Sequence, residues 1–315
     1  MADIIVPVYN APDYLESCIE SVLRHTNLSK HRLIIINDCS TDPAVDSIIA
    51  RYKKNDGIMI LQNDKNLGFV CTVNKGMRYS QNDVVLLNSD TQVTKNYMEK
   101  LTLCAYKNEN TATVTPLSNN GEITSVPVFL RSNPLPSGFT LDEYADFIER
   151  VSLKDYPSIP TGVGFCMFIK RSAIDKIGFF DEDNFGLGYG EENDFCYRAS
   201  LLGYTHALCD DTFILHKGEQ SFAKKKGMLV MQNSIKLDKM YKKLRANTNK
   251  FISEKKTDYI GQNILRELCV LNPAYADEFN LLPVKRRGDF IAFFTRGKIK
   301  LTPKLRLLAY KIFGR

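Results

Sequence analysis

Three short polar stretches of this chain close apolar runs and carry side chains able to hold a ligand. Asn88-Ser89-Asp90 follows the apolar run Val84 to Leu87, Asn37-Asp38 follows "RLIII", and Pro7-Val8-Tyr9-Asn10 ends "DIIVPVYN". Taken singly, each is turn chemistry, because Asn, Ser and Asp are turn formers. Each is also ligand chemistry: a carboxylate at a strand end can take a divalent cation, and a second can accept from the ring N–H of a base. A fourth stretch, "GEENDFCYR", opens a helix with Glu191, Glu192 and Asp194 in its first turn. Carboxylates there complement the positive helix end, and one of them can equally remove the proton of an attacking hydroxyl. His216, one of four histidines, closes the run "FILH".

The elements that must position these groups follow from hydrophobic periodicity. "DIIVPVY", "RLIIIND", "GIMIL", "DVVLL" and "TATVT" read as strands. Between them lie helices from Pro12 to Arg24, about Asp42 to Tyr52, about Phe69 to Tyr79 and about Lys95 to Tyr106, the last with Thr94 as candidate cap. Such alternation predicts an α/β fold with a mostly parallel central sheet covered on both faces. In a parallel sheet the polar strand ends share one edge, where a crevice forms. Tyr9 and Pro7 then pack on a base, Asp38 accepts from its ring, and Val8, Asn10, Asn88 and Ser89 line the same pocket. Asp90 takes a divalent cation, Mn²⁺ or Mg²⁺, bridging two phosphates and neutralising a leaving diphosphate.

The pattern changes after Pro116. Residues 117–139, rich in Asn, Gly, Ser and Pro, read as a long functional loop or lid. "GVGFCMFIK" is a further buried strand, and a Gly/aromatic loop leads into the helix at Glu191. Phe185 and Tyr189 on that loop read either as a sugar-stacking platform or as packing for the loop itself. Beyond residue 227 the chain reads as amphipathic helices with basic faces, so we divide it into a catalytic domain, 1–226, and a helical extension, 227–315.

Several classes are excluded. No run approaches the roughly 18 apolar residues of a membrane span, and the N-terminus lacks a secretory pattern, so a cytoplasmic protein is expected. The eight cysteines form no CxxC pair, which argues against disulfides and structural zinc. "GLGYGEEN" precedes a helix, but a dinucleotide fingerprint belongs after the first strand, where no glycine stands, and a P-loop is absent. Residues 217–256 carry twelve Lys/Arg against three Asp/Glu, and residues 285–315 carry ten against one, leaving the remainder acidic. That division would suit nucleic acid and an anionic membrane surface equally well, but the acidic body does not look built for DNA, so no nucleic-acid partner is expected.

Together these segments resemble the family 2 inverting glycosyltransferases of the GT-A fold over about residues 3–222. "IIVPVYNAPDYLESCIESVL" looks like the opening strand and helix, and "LIIINDCSTD" is similar to the nucleotide loop, with Asp38 at the base position. "NLGFVCTVNKGM" matches a segment that places Gly68 and Asn74 near the nucleotide, and "LLNSDTQV" falls where the metal motif belongs, with Asn88 in place of its first Asp. "GFFDEDNF…GEENDFCYR" is similar to the acceptor loop and catalytic helix.

The resemblance implies transfer of a sugar, with a UDP-sugar the default donor, to a hydroxyl of a glycan, glycolipid or glycoprotein acceptor. It implies Glu192 as base, with Glu191 or Asp194 as alternatives on the acceptor side, and His216 completing the metal shell or contacting the diphosphate. Two other classes remain in view: a nucleotidyltransferase, which lacks its basic Gly-rich loop here, and a non-catalytic subunit binding glycan or a partner. Leu301, Leu305, Leu308 and Ile312 in "KIKLTPKLRLLAYKIFGR" form an apolar stripe that reads either as a peripheral membrane helix or as packing, including packing in a homo-oligomer.

Overall fold

The computed structural model describes residues 1–218 and 223–279. Nine strands form the sheet: β1 (Ala2–Val8), β2 (Arg32–Asn37), β3 (Ile58–Gln62), β4 (Asp83–Leu87), β5 (Thr91–Gln92), β6 (Thr111–Ser118), β7 (Ser158–Ile159), β8 (Cys166–Ile169) and β9 (Thr205–His216). Their order is β3-β2-β1-β4-β8-β6-β9-β5, with β7 also on β9. β1 to β4 are parallel neighbours, and β8 runs antiparallel between β4 and β6.

Isoleucine-rich strands explain the centre of the sheet. Leu33 to Ile36 of β2 are fully buried, as a strand covered on both faces requires, and burying each such side chain stabilises by about 1.5–3 kcal/mol. The covering helices are α1 (Pro12–His25), α2 (Pro43–Tyr52), α3 (Phe69–Tyr79) and α4 (Tyr97–Tyr106). α1 begins at a proline, whose missing N–H costs nothing there. The Asp42 side chain caps α2 by accepting from Ala44 N. α3 lies so close to β1 that a Cβ at Gly76 would come within 2.6 Å of Ile5 Cγ2.

The chain order reverses between β1 and β4. β4 pairs β1 only from Ala2 to Ile5, whereas β2 pairs it as far as Val8. The end of β1 therefore opens toward β4, and Pro7, with no N–H to donate, falls in that stretch. This gap is the crevice expected at a topological switch point.

Three expectations need correction. Thr94 does not cap α4: Asn96 occupies the cap in a left-handed conformation, and the Thr94 hydroxyl donates to Phe213 O at 2.6 Å. Residues 117–139 are no open lid, since Asn119, Ile123, Thr124, Ser125, Val126 and Asn133 are all buried. A helix absent from the sequence reading, α5 (Leu141–Val151), follows, and Thr140 with Glu143 forms its capping box.

Further along come α6 (Arg171–Ile177), α7 (Glu182–Phe185) and α8 (Glu191–Leu201), then α9 (Ala223–Met240), α10 (Leu244–Ser253), α11 (Asp258–Leu271) and α12 (Tyr275–Glu278). The boundary placed at residue 226 falls inside α9. Phe251, Ile260, Ile264, Leu265 and Leu268 share one core with Leu117, Leu208 and Phe213 of the sheet. Leu237 and Leu244 join another with Ile5 and Ile34. Among the described residues no helix is long and apolar enough to cross a membrane. The stripe from Leu301 to Ile312 lies outside the described residues.

β9 carries an irregularity. Pro116 of β6 pairs with Cys209 but Leu117 pairs with Phe213, so Asp210, Asp211 and Thr212 bulge out of the ladder. Asp210 accepts from Ser152 Oγ and Tyr156 N, and Asp211 accepts from the Tyr156 hydroxyl.

Candidate active site

Strand pairing brings Asp90 to His216. β5 is only two residues long, but Thr91 pairs with His216 across it, and Lys217 N donates to Asp90 O at 3.0 Å. The turn before it is fixed by Asn88 N donating to Phe165 O and by Thr91 Oγ1 donating to Asn88 O. Asn119 clamps the His216 backbone, accepting from its N at 2.8 Å and donating to its O at 3.1 Å. Phe165 stacks on the imidazole at 5.3 Å and 15°.

The ring is oriented by Asn120, whose carbonyl lies 2.6 Å from Nδ1. A carbonyl only accepts, so Nδ1 carries a proton, and a neutral ring then turns its Nε2 lone pair to Asp90 Oδ2, 3.3 Å away. Two acceptors that close are stabilised by a shared cation or by a second proton. An N–H held by a backbone carbonyl is also the usual orienting contact of a metal-binding histidine. The pair therefore fits a divalent cation. Among the described residues no three His, Cys, Asp or Glu gather, so phosphate oxygens and water would complete the shell, as is common for Mg²⁺.

On the nucleotide side, Asn10 joins two strand-end loops. Its Oδ1 accepts from Thr41 N and Asp42 N, and its N–H donates to Ser40 Oγ. Tyr9 is partly exposed beside it. Asp38 is 3% exposed and accepts from Asn63 Nδ2, Leu67 N and Gly68 N at 2.8, 2.8 and 2.9 Å. It shapes the 66–68 loop first, and of a carboxylate's roughly four acceptor positions one is left for a base. Gly68 has φ 85 and lies against Gly186 O, which a Cβ would meet at 2.5 Å.

Asn74 departs from expectation. It is buried, and its amide is spent on Phe180 O, Phe180 N and Glu182 Oε1. Asn74 ties α3 to the segment before α7 instead of reaching a nucleotide.

On the acceptor side, Phe185 is 1% exposed and packs with Ile5, Met77 and Phe195, so it supports the loop from beneath and offers no sugar platform. Asp194 is also buried and serves Arg198 Nε at 2.8 Å and the Tyr241 hydroxyl at 2.5 Å. Tyr189 remains at the mouth, 37% exposed. Burial raises its phenol pKa, as do the charges of Glu191, Asp90 and Glu192. This tyrosine thus lies within electrostatic reach of both the Asp90–His216 pair and the carboxyls of α8.

Glu191 and Glu192 are neighbouring carboxyls in the first turn of α8. Glu191 is buried, and its Oε2 has no partner; burial and the neighbouring Glu192 push its pKa well up. Glu191 therefore holds the proton. Glu192 is partly exposed, accepts from Gly190 N at 3.3 Å and Asn193 Nδ2 at 3.2 Å, and is itself raised by burial and by the charge of Glu122. A carboxylate with a raised pKa is suited to proton abstraction near neutral pH. Sequence reasoning missed Asn119, Asn120 and Glu122; the Asn-Asn pair inside a polar stretch was the available signal.

Residues 3–178 match the family model of glycosyl transferase family 2, and the chain belongs to that family. It is 35% identical over 102 residues to the putative teichuronic acid biosynthesis glycosyltransferase TuaG of Bacillus subtilis, covering 32% of this chain and 40% of that protein. Over 203 residues it is 25% identical to a poly-beta-1,6-N-acetyl-D-glucosamine synthase of Staphylococcus aureus, covering 64% of this chain and 46% of that one. The matches thus span less than half the length of these relatives. Among solved structures, GalNAc-T7 with UDP, GalNAc and Mn²⁺ superposes with a TM-score of 0.58 at 14% identity, covering 96% of this chain and 58% of that one. The mannosyltransferase PcManGT of Pyrobaculum calidifontis, with GDP-Man and Mn²⁺, gives 0.56 at 13%, covering 98% and 82%. The fold is GT-A.

Proposed function

We propose that the protein is a glycosyltransferase that moves a sugar from a nucleotide-sugar donor to an acceptor hydroxyl with inversion, in assembly of a bacterial surface polysaccharide or glycoconjugate. The observation that carries this reading is the Asp90–His216 pair, 3.3 Å apart where the turn after β4 meets the end of β9, which would suit a divalent cation. Pro7, Val8, Tyr9, Asn10, Asp38, Gly68, Asn88 and Ser89 form the donor side. Asp90 and His216 would hold Mn²⁺ or Mg²⁺, and such a cation would neutralise charge growing on the departing diphosphate. Glu192 takes the acceptor proton while the hydroxyl attacks from the opposite face. Tyr189 orients the acceptor ring, and Glu191 keeps its proton.

UDP-sugars are the first donors to test, in keeping with the UDP in the GalNAc-T7 structure, and the GDP-Man of the mannosyltransferase places GDP-sugars next. The acceptor is a glycan, glycolipid or glycoprotein, and the setting is cytoplasmic, at the inner face of a membrane. The test is incubation with a panel of nucleotide sugars and glycan acceptors, with Mn²⁺, Mg²⁺ or EDTA, while released nucleoside diphosphate and product anomer are measured. No turnover with any donor in the presence of metal would overturn the reading.

A further inference from the structure

We propose that Asn233, on α9, is a positioning residue for the acceptor side of the site, holding Tyr189 in place from the C-terminal segment of the chain. The inference rests on the functional reading above for its kinetic arm alone.

Within the turn that presents Tyr189, Gly188 N donates to Phe185 O and Gly190 N to Glu192 Oε2, while two of its carbonyls look to α9. Gly188, Tyr189 and Gly190 are left-handed in succession, with φ of 101, 68 and 106. Glycine adopts that conformation freely, whereas a tyrosine does so against a steric penalty. Two of the turn's carbonyls, Gly188 O and Tyr189 O, point at one side chain: Asn233 Nδ2 donates to both at 2.9 Å. An amide nitrogen has two hydrogens to give, and here each finds a carbonyl. Asn233 is 5% exposed, so water does not replace these bonds when they are lost.

The same face of the helix continues the contact. Leu237, one turn on, closes against Gly190, where an added Cβ would lie 3.0 Å from its Cδ1. Tyr241, a turn further, donates to Asp194 in the first turn of α8. Lys236 donates to Asn184 O and lies over the Phe185 ring. α9 therefore spans the segment from Asn184 to Asp194, which holds both Tyr189 and Glu192. Asn233 bears on the reacting atoms only through that segment.

The chain contains no tryptophan, so Tyr189→Trp installs a single emitter in the turn. Adding Asn233→Ala to that protein should shift emission to the red and increase quenching by acrylamide. In the enzyme with Tyr189 intact, Asn233→Ala should raise the acceptor KM roughly tenfold while donor KM stays near wild type, and Tm should fall because two buried carbonyls lose their donor. Asn233→Ser, which keeps one shorter donor, should fall between. Unchanged emission, or a parallel rise of both KM values, overturns the proposal. If the wild-type protein turns over no nucleotide sugar, the functional reading fails, and the emission comparison still decides whether Asn233 holds the turn.

Discussion

Asp90 Oδ2 and His216 Nε2 lie 3.3 Å apart, brought together by a two-residue strand paired to the end of a twelve-residue one. Asn120 orients the imidazole through Nδ1 so that Nε2 faces the carboxylate. Removing either side chain would leave the proposed cation with a single protein ligand. Asp90→Ala should lower turnover by about a hundredfold or more, since a cation at a departing diphosphate contributes several kcal/mol, and excess EDTA should do the same. Turnover unaffected by EDTA would separate this pair from metal binding and leave the fold as described.

Glu192→Gln keeps the shape of the side chain and removes its basicity. The chemical step should fall by roughly 10²–10⁴, with donor binding, followed by calorimetry, close to wild type. A healthy Glu192→Gln enzyme would move the base elsewhere on α8.

The charge of Glu122 raises the Glu192 pKa, so Glu122→Gln should lower it. The rate falls when Glu192 becomes protonated, and the acidic limb of the pH–rate profile should therefore move to lower pH in the variant. A limb that moves upward or stays fixed would show that Glu192 does not set it.

Glu191 gives a prediction on stability. Burial holds its folded pKa well above the ordinary carboxylate value. Its stabilising contribution is complete below the unfolded pKa and is lost as pH rises through the folded one. Glu191→Gln cannot ionise, so its Tm relative to wild type should climb between pH 5 and pH 8. Thermal scans across that range check the sign.

Asp38→Ala removes the acceptor for Leu67 N and one of the two acceptors for Gly68 N, which also donates to Asn66 Oδ1. Charge-assisted bonds of this kind contribute roughly 1.5–3 kcal/mol each, so Tm should drop by several degrees and donor KM should rise more than kcat falls. A rise in KM without loss of Tm would mean that base contact outweighs loop support.

Much of the donor half was legible because its signals are local. Ile- and Val-rich runs between amphipathic helices gave β1 to β4 within a residue or two, and the polar strand ends pointed to the crevice. What failed depended on distance in sequence. Phe185 and Tyr189 look alike as loop aromatics, and only the packing of Phe185 among Ile5, Met77 and Phe195 separates them. Asn74 and Asp194 each have partners, Phe180, Glu182 and Tyr241, that no spacing rule supplies, whereas Arg198 stands four residues after Asp194 on the same helix. β5 is too short for periodicity to register. α5 was the avoidable miss, since Thr140 and Glu143 stand three apart ahead of an apolar run.

The bulge at Asp210–Thr212 imposes a strict tolerance on chain length. A strand advances about 3.3 Å per residue and alternates faces, so one residue gained or lost there would carry Leu215 or Lys217 to the position opposite Thr91. An insertion or deletion at 210–212 would then behave as a loss of His216, although it lies far along β9 from the mouth. Substitutions in the bulge keep the count and should be far milder. Natural variation in this strand should therefore change letters and conserve number.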